Sequence, residues 1–451
     1  MSKKIGLIVT LVGICALSLF LLNCGGSSSR PSGVLYVLTQ GSNGFGNNVS
    51  SFAIDLDTGT LGLVNSNAST CPTQATPTNS EPCGLPLDIL LDPAGATAFV
   101  LDQGVPSASI APAIFSYTVN SDGSLGSPNP AATLTGNLPL AMTRDATGQF
   151  LFVLDGGSSP LPPNCPPVGS SNPTYTGCPS ISTFAISSAS LAPASGSPFY
   201  IGRAPTALSA ITFPVPNGVV NAPCGATTTE EFVFVTSNHD LSPEHNDNAL
   251  SLYCLNSSGS LSDLTPDPPY TPAVDPISVM AVNTTPVVPT TGGIFVYVGS
   301  QPSASGALSI FQMCTQVGNG QCSAQNVTNA LLLPVTTPAP PATGQNPVEM
   351  VVDPTNNFLY VLCYLSNQVW GYHIGTTAGT LTALAPANQP TGSQPVSMAL
   401  HPSVNNTGQF LFVSNSNSDN ITGFTLGTTS GSMSSPTTTI APAAPSGIAV
   451  H

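Results

Sequence analysis

An all-β fold, a seven-bladed β-propeller with four-stranded antiparallel blades, follows from three observations on this sequence. A unit of short alternating strands returns seven times, charged residues are too few to build paired polar helix faces, and the two ends of the repeat array carry complementary parts of one blade.

Each unit opens at a proline, runs through an apolar alternation and an Asp-Pro or similar turn, and continues into an aromatic-Val strand. The clearest copy is Asn346-Pro347-Val348-Glu349-Met350-Val351-Val352-Asp353-Pro354, followed by Phe358-Leu359-Tyr360-Val361-Leu362; the same order returns at Leu85 to Leu101, Leu138 to Leu154 and Gln394 to Val413. A third strand follows at Val49 to Ile54, Ile114 to Val119, Ile181 to Ile186, Ala249 to Leu255, Ala307 to Met313, Val369 to Ile374 and Ile421 to Leu426, which makes seven copies. Gly-x-Leu or Gly-x-Met turns at Gly59, Gly123, Gly259, Gly379 and Gly431 then open an outer strand. Period-2 alternation bounded by Gly, Pro and Asn marks short antiparallel strands. Four of them per repeat of roughly 50 to 70 residues make propeller blades.

At the start of the array, Val34-Leu35-Tyr36-Val37 reads as a second strand without a first, while Pro445 to His451 is a first strand without a second. Pairing the two completes blade one and closes the ring, which removes two open sheet edges. The propeller therefore spans residues 34–451.

Ahead of it, Met1-Ser2-Lys3-Lys4 and the uncharged run Ile5 to Leu22 form the charged and apolar regions of an export signal, residues 1–23. The sequence Leu21-Leu22-Asn23-Cys24-Gly25-Gly26-Ser27 resembles a bacterial lipoprotein box, which implies a lipid on Cys24 and a flexible tether over 24–33. The alternative is an uncleaved membrane anchor. Both put the propeller outside the cytoplasm, in the bacterial cell envelope; the lipid-anchored form belongs at the outer membrane or cell surface. The lysines leave with the leader, so Arg30, Arg144 and Arg203 face twenty carboxylates at a formal charge of −17. Nucleic acid is excluded as a partner, since neutralising phosphates needs clustered cations.

The Leu359-Tyr360-Val361, Leu151-Phe152-Val153 and Leu411-Phe412-Val413 strands, the Asp92-Pro93, Asp353-Pro354 and His401-Pro402 turns, and the third strand Asn367 to Tyr372 resemble the lactonase family of seven-bladed propellers. The resemblance covers nearly all of residues 34–451 and implies a site at the upper mouth of the central channel. The second residue after each first-strand proline then lies near that mouth. Around the ring these are Gly447, Asp88, Ala141, Ala207, Ser278, Glu349 and Ser397, with Asp88 and Glu349 the only charges and the candidate catalytic acid and base. Family enzymes carry His or Arg near this mouth, where this chain has Pro86-Leu87-Asp88 and Pro347-Val348-Glu349.

In an exported protein, paired cysteines read as disulfides. Propeller loop convention places Cys71 with Cys83 and Cys165 with Cys178 on the top face, and Cys224 with Cys254 and Cys314 with Cys322 on the bottom. Cys363 is left as a free, inert thiol. His239, Asp240, Glu244, His245 and Asp247 share the top-face loop of blade four, and imidazole with carboxylate suits a divalent metal; a solvated polar loop is the alternative. No other cofactor is implied. Arg144 and Arg203 are candidates for anchoring an anionic ligand.

The missing His and Arg favour a monomeric binding or scaffold module for a neutral small molecule, a carbohydrate or a protein. A lactonase-type hydrolase acting on a small lactone at the channel mouth is the competing reading. Fold alone does not decide between an enzyme and a binding protein.

Overall fold

The proline-led segments become the innermost strands of seven sheets arranged in a ring. A computed structural model describes residues 33–451 except 41–47, 70–83, 106–109, 135, 137, 159–164, 166–176, 202–203, 215–223, 225–228, 240–247, 267–268, 285–292, 303–304, 315–331, 402–408 and 442. The inner strands are Pro445–Val450, Pro86–Leu91, Pro139–Arg144, Ala204–Pro214, Pro276–Asn283, Pro347–Val352 and Pro395–His401, in blades one to seven. Every blade is antiparallel and runs outward in chain order, except that blade one takes its inner strand from the far end of the chain. Leu35 pairs with Val450, Tyr36 with Ala449 and Val37 with Ile448, so the ring closes as expected.

The third strands fall where the alternation places them: Ala249–Leu255 and Ala307–Met313 agree end to end, and the others shift by one residue or so. Blade three departs in one respect, because its outer position is shared by Ser190–Pro193 and Phe199–Tyr200, both pairing with the third strand.

Second strands are apolar at consecutive positions because both of their faces are covered. In Phe358–Cys363 every residue is buried. Phe358, Tyr360 and Leu362 pack toward blade seven, while Leu359, Val361 and Cys363 pack toward blade five. The same division repeats around the ring, so among the described residues seven clusters are each held between two neighbouring blades, with a small eighth of Cys314 and Leu333.

Both repeated motifs are contacts between blades. Tyr297 and Tyr360, the aromatic residues of Val-Tyr-Val and Leu-Tyr-Val, donate their hydroxyls at 2.8 and 2.7 Å to the carbonyls of Gly379 and Gly431 in the next blade. Gly379 and Gly431 have φ of 62° and 64° and lie against the rings of Phe295 and Phe358, where a Cβ would collide. A turn that needs left-handed backbone and also sits on an aromatic ring admits only glycine. The Asp of the Asp-Pro turns folds its carboxylate back on the hairpin: Asp353 accepts from the Asn357 and Phe358 amides at 2.8 and 2.7 Å, and from the Thr355 hydroxyl.

Disulfides join Cys165 to Cys178 and Cys224 to Cys254, with Cα separations of 5.7 and 5.4 Å. Cys314 is also disulfide-bonded. Cys363 is free and buried, and burial pushes its thiol up to about 11. Cys24, Cys71, Cys83 and Cys322, with the leader and tether, lie outside the described residues. Among those described, no helix is long and apolar enough to cross a membrane.

Candidate functional site at the channel mouth

The site is made by a fault in the pairing that recurs at the start of the inner strands. Between Pro86 and Asp88, Pro139 and Ala141, Pro205 and Ala207, Pro276 and Ser278, Pro347 and Glu349, and Pro395 and Ser397, the register with the second strand slips by one residue. Such a bulge bends the strand and re-aims the residues after the proline. All seven inner strands contribute to the cavity that results, of about 550 Å³, with Asp88 and Glu349 in its wall.

In three blades the amide three residues after the proline is taken up by a side chain of the preceding blade. Asp88 Oδ2 accepts from the Met142 amide at 3.0 Å, Glu349 Oε2 from Met398 at 2.6 Å, and Ser397 Oγ from Ile448 at 3.3 Å. Asp88 Oδ1 also accepts from the Ile89 amide at 2.8 Å. Blades three and four carry Ala141 and Ala207 at this position, which offer no acceptor to the equivalent amides of Leu208 and Val279.

Asp88 and Glu349 stand across the channel, three blades apart one way and four the other. Desolvation raises the Asp88 carboxyl to about 6, against the pull of its two amide donors. Desolvation raises Glu349 further, to about 8, and the Asp88 charge adds to the rise. Both carboxyls are thus held above the ordinary carboxylate range, Glu349 the further of the two.

Three of the hydroxyls that line the cavity are donated across to the next blade. Thr206 donates to the Pro276 carbonyl at 2.8 Å, Ser278 to Pro347 at 2.5 Å and Ser446 to Pro86 at 2.9 Å. Gln40 Nε2 also donates to Pro86, at 2.8 Å.

Asp88 and Glu349 are thus brought together. Arg144 lies at the opposite end of its inner strand, its guanidinium donating to the carbonyls of Leu91 at 3.1 Å and Asp145 at 3.2 Å, and it does not line the cavity. Arg203 is outside the described residues. His239 ends the second strand of blade four, and Asp240, Glu244, His245 and Asp247 lie outside the described residues. Leu208 and Val279, which line the cavity one position beyond Ala207 and Ser278, were not foreseen. The one signal for them in the sequence is alanine at the post-proline position in two successive blades.

Comparison with known proteins agrees with this architecture. The family described as "Lactonase, 7-bladed beta-propeller" matches residues 333–450, which hold blades six and seven and the inner strand of blade one. The resemblance read from the motifs is borne out there. No curated protein sequence matches. Among solved structures, a provisionally assigned 6-phosphogluconolactonase from Bacteroides uniformis is similar at a TM-score of 0.57 and 14% identity, over 94% of this chain and 100% of that one. The periplasmic gluconolactonase PpgL of Pseudomonas aeruginosa is similar at 0.57 and 16%, over 93% and 98%. At these identities the likeness is one of fold.

Proposed function

We propose that this chain is a hydrolase that opens a small neutral lactone at the upper mouth of its channel, working in the cell envelope on a lipid tether at Cys24. The observation that carries this reading over a binding or scaffold role is that Asp88 and Glu349 line one cavity from opposite sides of the ring, each carboxyl raised by desolvation. The lactonase match over residues 333–450 supports it.

In the reaction, the Asp88 carboxylate takes a proton from water as the oxygen adds to the lactone carbonyl. The amides of Leu208 and Val279 stabilise the resulting oxyanion, the role such donors play in acyl transfer. As the ring C–O bond breaks, neutral Glu349 gives its proton to the departing oxygen, which leaves as the hydroxyl of the hydroxy acid. Asp88 is then protonated and Glu349 ionised, and proton exchange through water restores the pair.

This assignment is tested by acid release from δ-valerolactone. Asp88→Asn and Glu349→Gln should each lower kcat by 100-fold or more, in the range for losing a general acid or base, with circular dichroism unchanged. In the wild type, kcat/KM should rise as Asp88 ionises near pH 6 and fall as Glu349 loses its proton near pH 8. A second reading, in which the carboxyls only clip neighbouring inner strands, has the Met142 and Met398 bonds in its favour. It predicts lower melting temperatures for both variants and unchanged turnover.

A further inference from the structure

We infer that the lactone taken by this site carries an aliphatic substituent, seated in an apolar collar at the mouth, and is not a polyhydroxylated sugar lactone; this rests on the hydrolase reading above.

The residue directly after the inner-strand proline lines the cavity in every blade. It is aliphatic in five of the seven: Leu87, Leu140, Ile277, Val348 and Val396. Leu138, next to the inner-strand proline of blade three, is also apolar and is 44% exposed. The other two positions are Thr206 and Ser446, and their hydroxyls are already donated to the Pro276 and Pro86 carbonyls. Ser278, one layer deeper, is likewise spent on Pro347.

A sugar lactone brings several hydroxyls that must exchange water for protein partners, and an unmet polar group costs more than a met one returns. The other polar side chains that line the cavity, Thr143 apart, are each already in a hydrogen bond with the inner strands or their loops: Gln40, Asp88, Ser209, Glu349, Ser397 and Ser416, and the mouth has no described lysine or arginine. It offers a methylene chain an aliphatic surface, and each buried methylene is worth about a fourfold gain in affinity. The collar therefore selects among neutral lactones by the apolar part of the molecule, while the carboxyl pair below acts on the ring.

The experiment uses two series on the purified protein. Turnover is measured for δ-lactones with substituents from hydrogen to hexyl, with glucono-δ-lactone alongside. Binding of the matching alkyl δ-lactams, which resist hydrolysis, is measured by calorimetry. We expect kcat/KM to rise, and the lactam Kd to fall, by about fourfold per methylene over the first four. Glucono-δ-lactone should lie at least tenfold below the butyl compound, and Ile277→Ser with Val348→Ser should flatten the slope. A lactam Kd independent of chain length, or glucono-δ-lactone turned over as fast as the butyl lactone, overturns the inference. A sloped lactam series with no lactone turnover retains the collar and removes the hydrolase reading instead.

Discussion

At the scale of single residues, the proposed chemistry rests on two half-buried carboxyl groups, Asp88 and Glu349, that line the channel cavity. Both are raised above their ordinary values, so the folded state binds their protons more tightly than the unfolded chain does. Their contribution to stability is complete below about pH 4 and is lost as pH rises through about 6 for Asp88 and about 8 for Glu349. Thermal melts should therefore show a falling melting temperature between pH 5 and pH 8.5. Glu349→Gln, which removes the more strongly raised group, should flatten the upper part of that fall; an identical profile in the variant would mean that Glu349 keeps its ordinary protonation. These two residues were legible in the sequence as the only charges at the post-proline position. Their protonation was not, because it depends on which blades face each other across the ring and on desolvation by neighbours remote in the chain. Cys363 was legible on simpler grounds, as the cysteine left without a neighbour, and it is the free buried thiol.

At the scale of the strand and turn, the repeat is readable because each motif is a contact repeated from blade to blade. The Gly-x-Leu turn records a left-handed residue lying on an aromatic ring, and the Tyr of the second strand records a hydroxyl reaching the next blade's turn. Tyr297→Phe leaves the Gly379 carbonyl without its partner and should cost about 1 to 3 kcal/mol in denaturant unfolding. Gly379→Ala should cost more, because it adds backbone strain to a collision with Phe295. Equal small effects from both would mean that the turn can move away from the ring. The bulge after the proline is the element the sequence conceals. Pro-Leu-Asp and Pro-Val-Glu read as ordinary alternation, and only the slip in register turns the amides of Met142 and Met398 toward the preceding blade, where Asp88 and Glu349 receive them.

At the scale of the whole molecule, the ring is closed by one strand, and carboxylates far outnumber its cations. Removing residues 445–451 takes away Ile448 and Ala449, both buried, and opens the seam between blades seven and two. Losing one such aliphatic side chain alone costs roughly 2 to 5 kcal/mol, so the truncation should melt at least about 5 °C below the full chain, and an unchanged melting temperature would count against closure by this strand. Ring and charge together also bear on substrate. A phosphorylated sugar lactone brings a doubly charged group that needs preorganised donors, usually arginine, lysine or amides at a helix start. No lysine follows Lys4, and Arg144 is turned to backbone carbonyls at the far end of its strand from the cavity. The twenty carboxylates repel such an anion at long range, and Asp88 repels it within the mouth. Assayed beside δ-valerolactone, 6-phosphogluconolactone should therefore be hydrolysed at least 100-fold less efficiently, with the gap narrowing as salt is added and long-range repulsion is screened. Efficient turnover of the phosphorylated compound that is lost on mutating Arg203 would require a cationic pocket above the mouth, and would reverse the assignment of this propeller to neutral substrates.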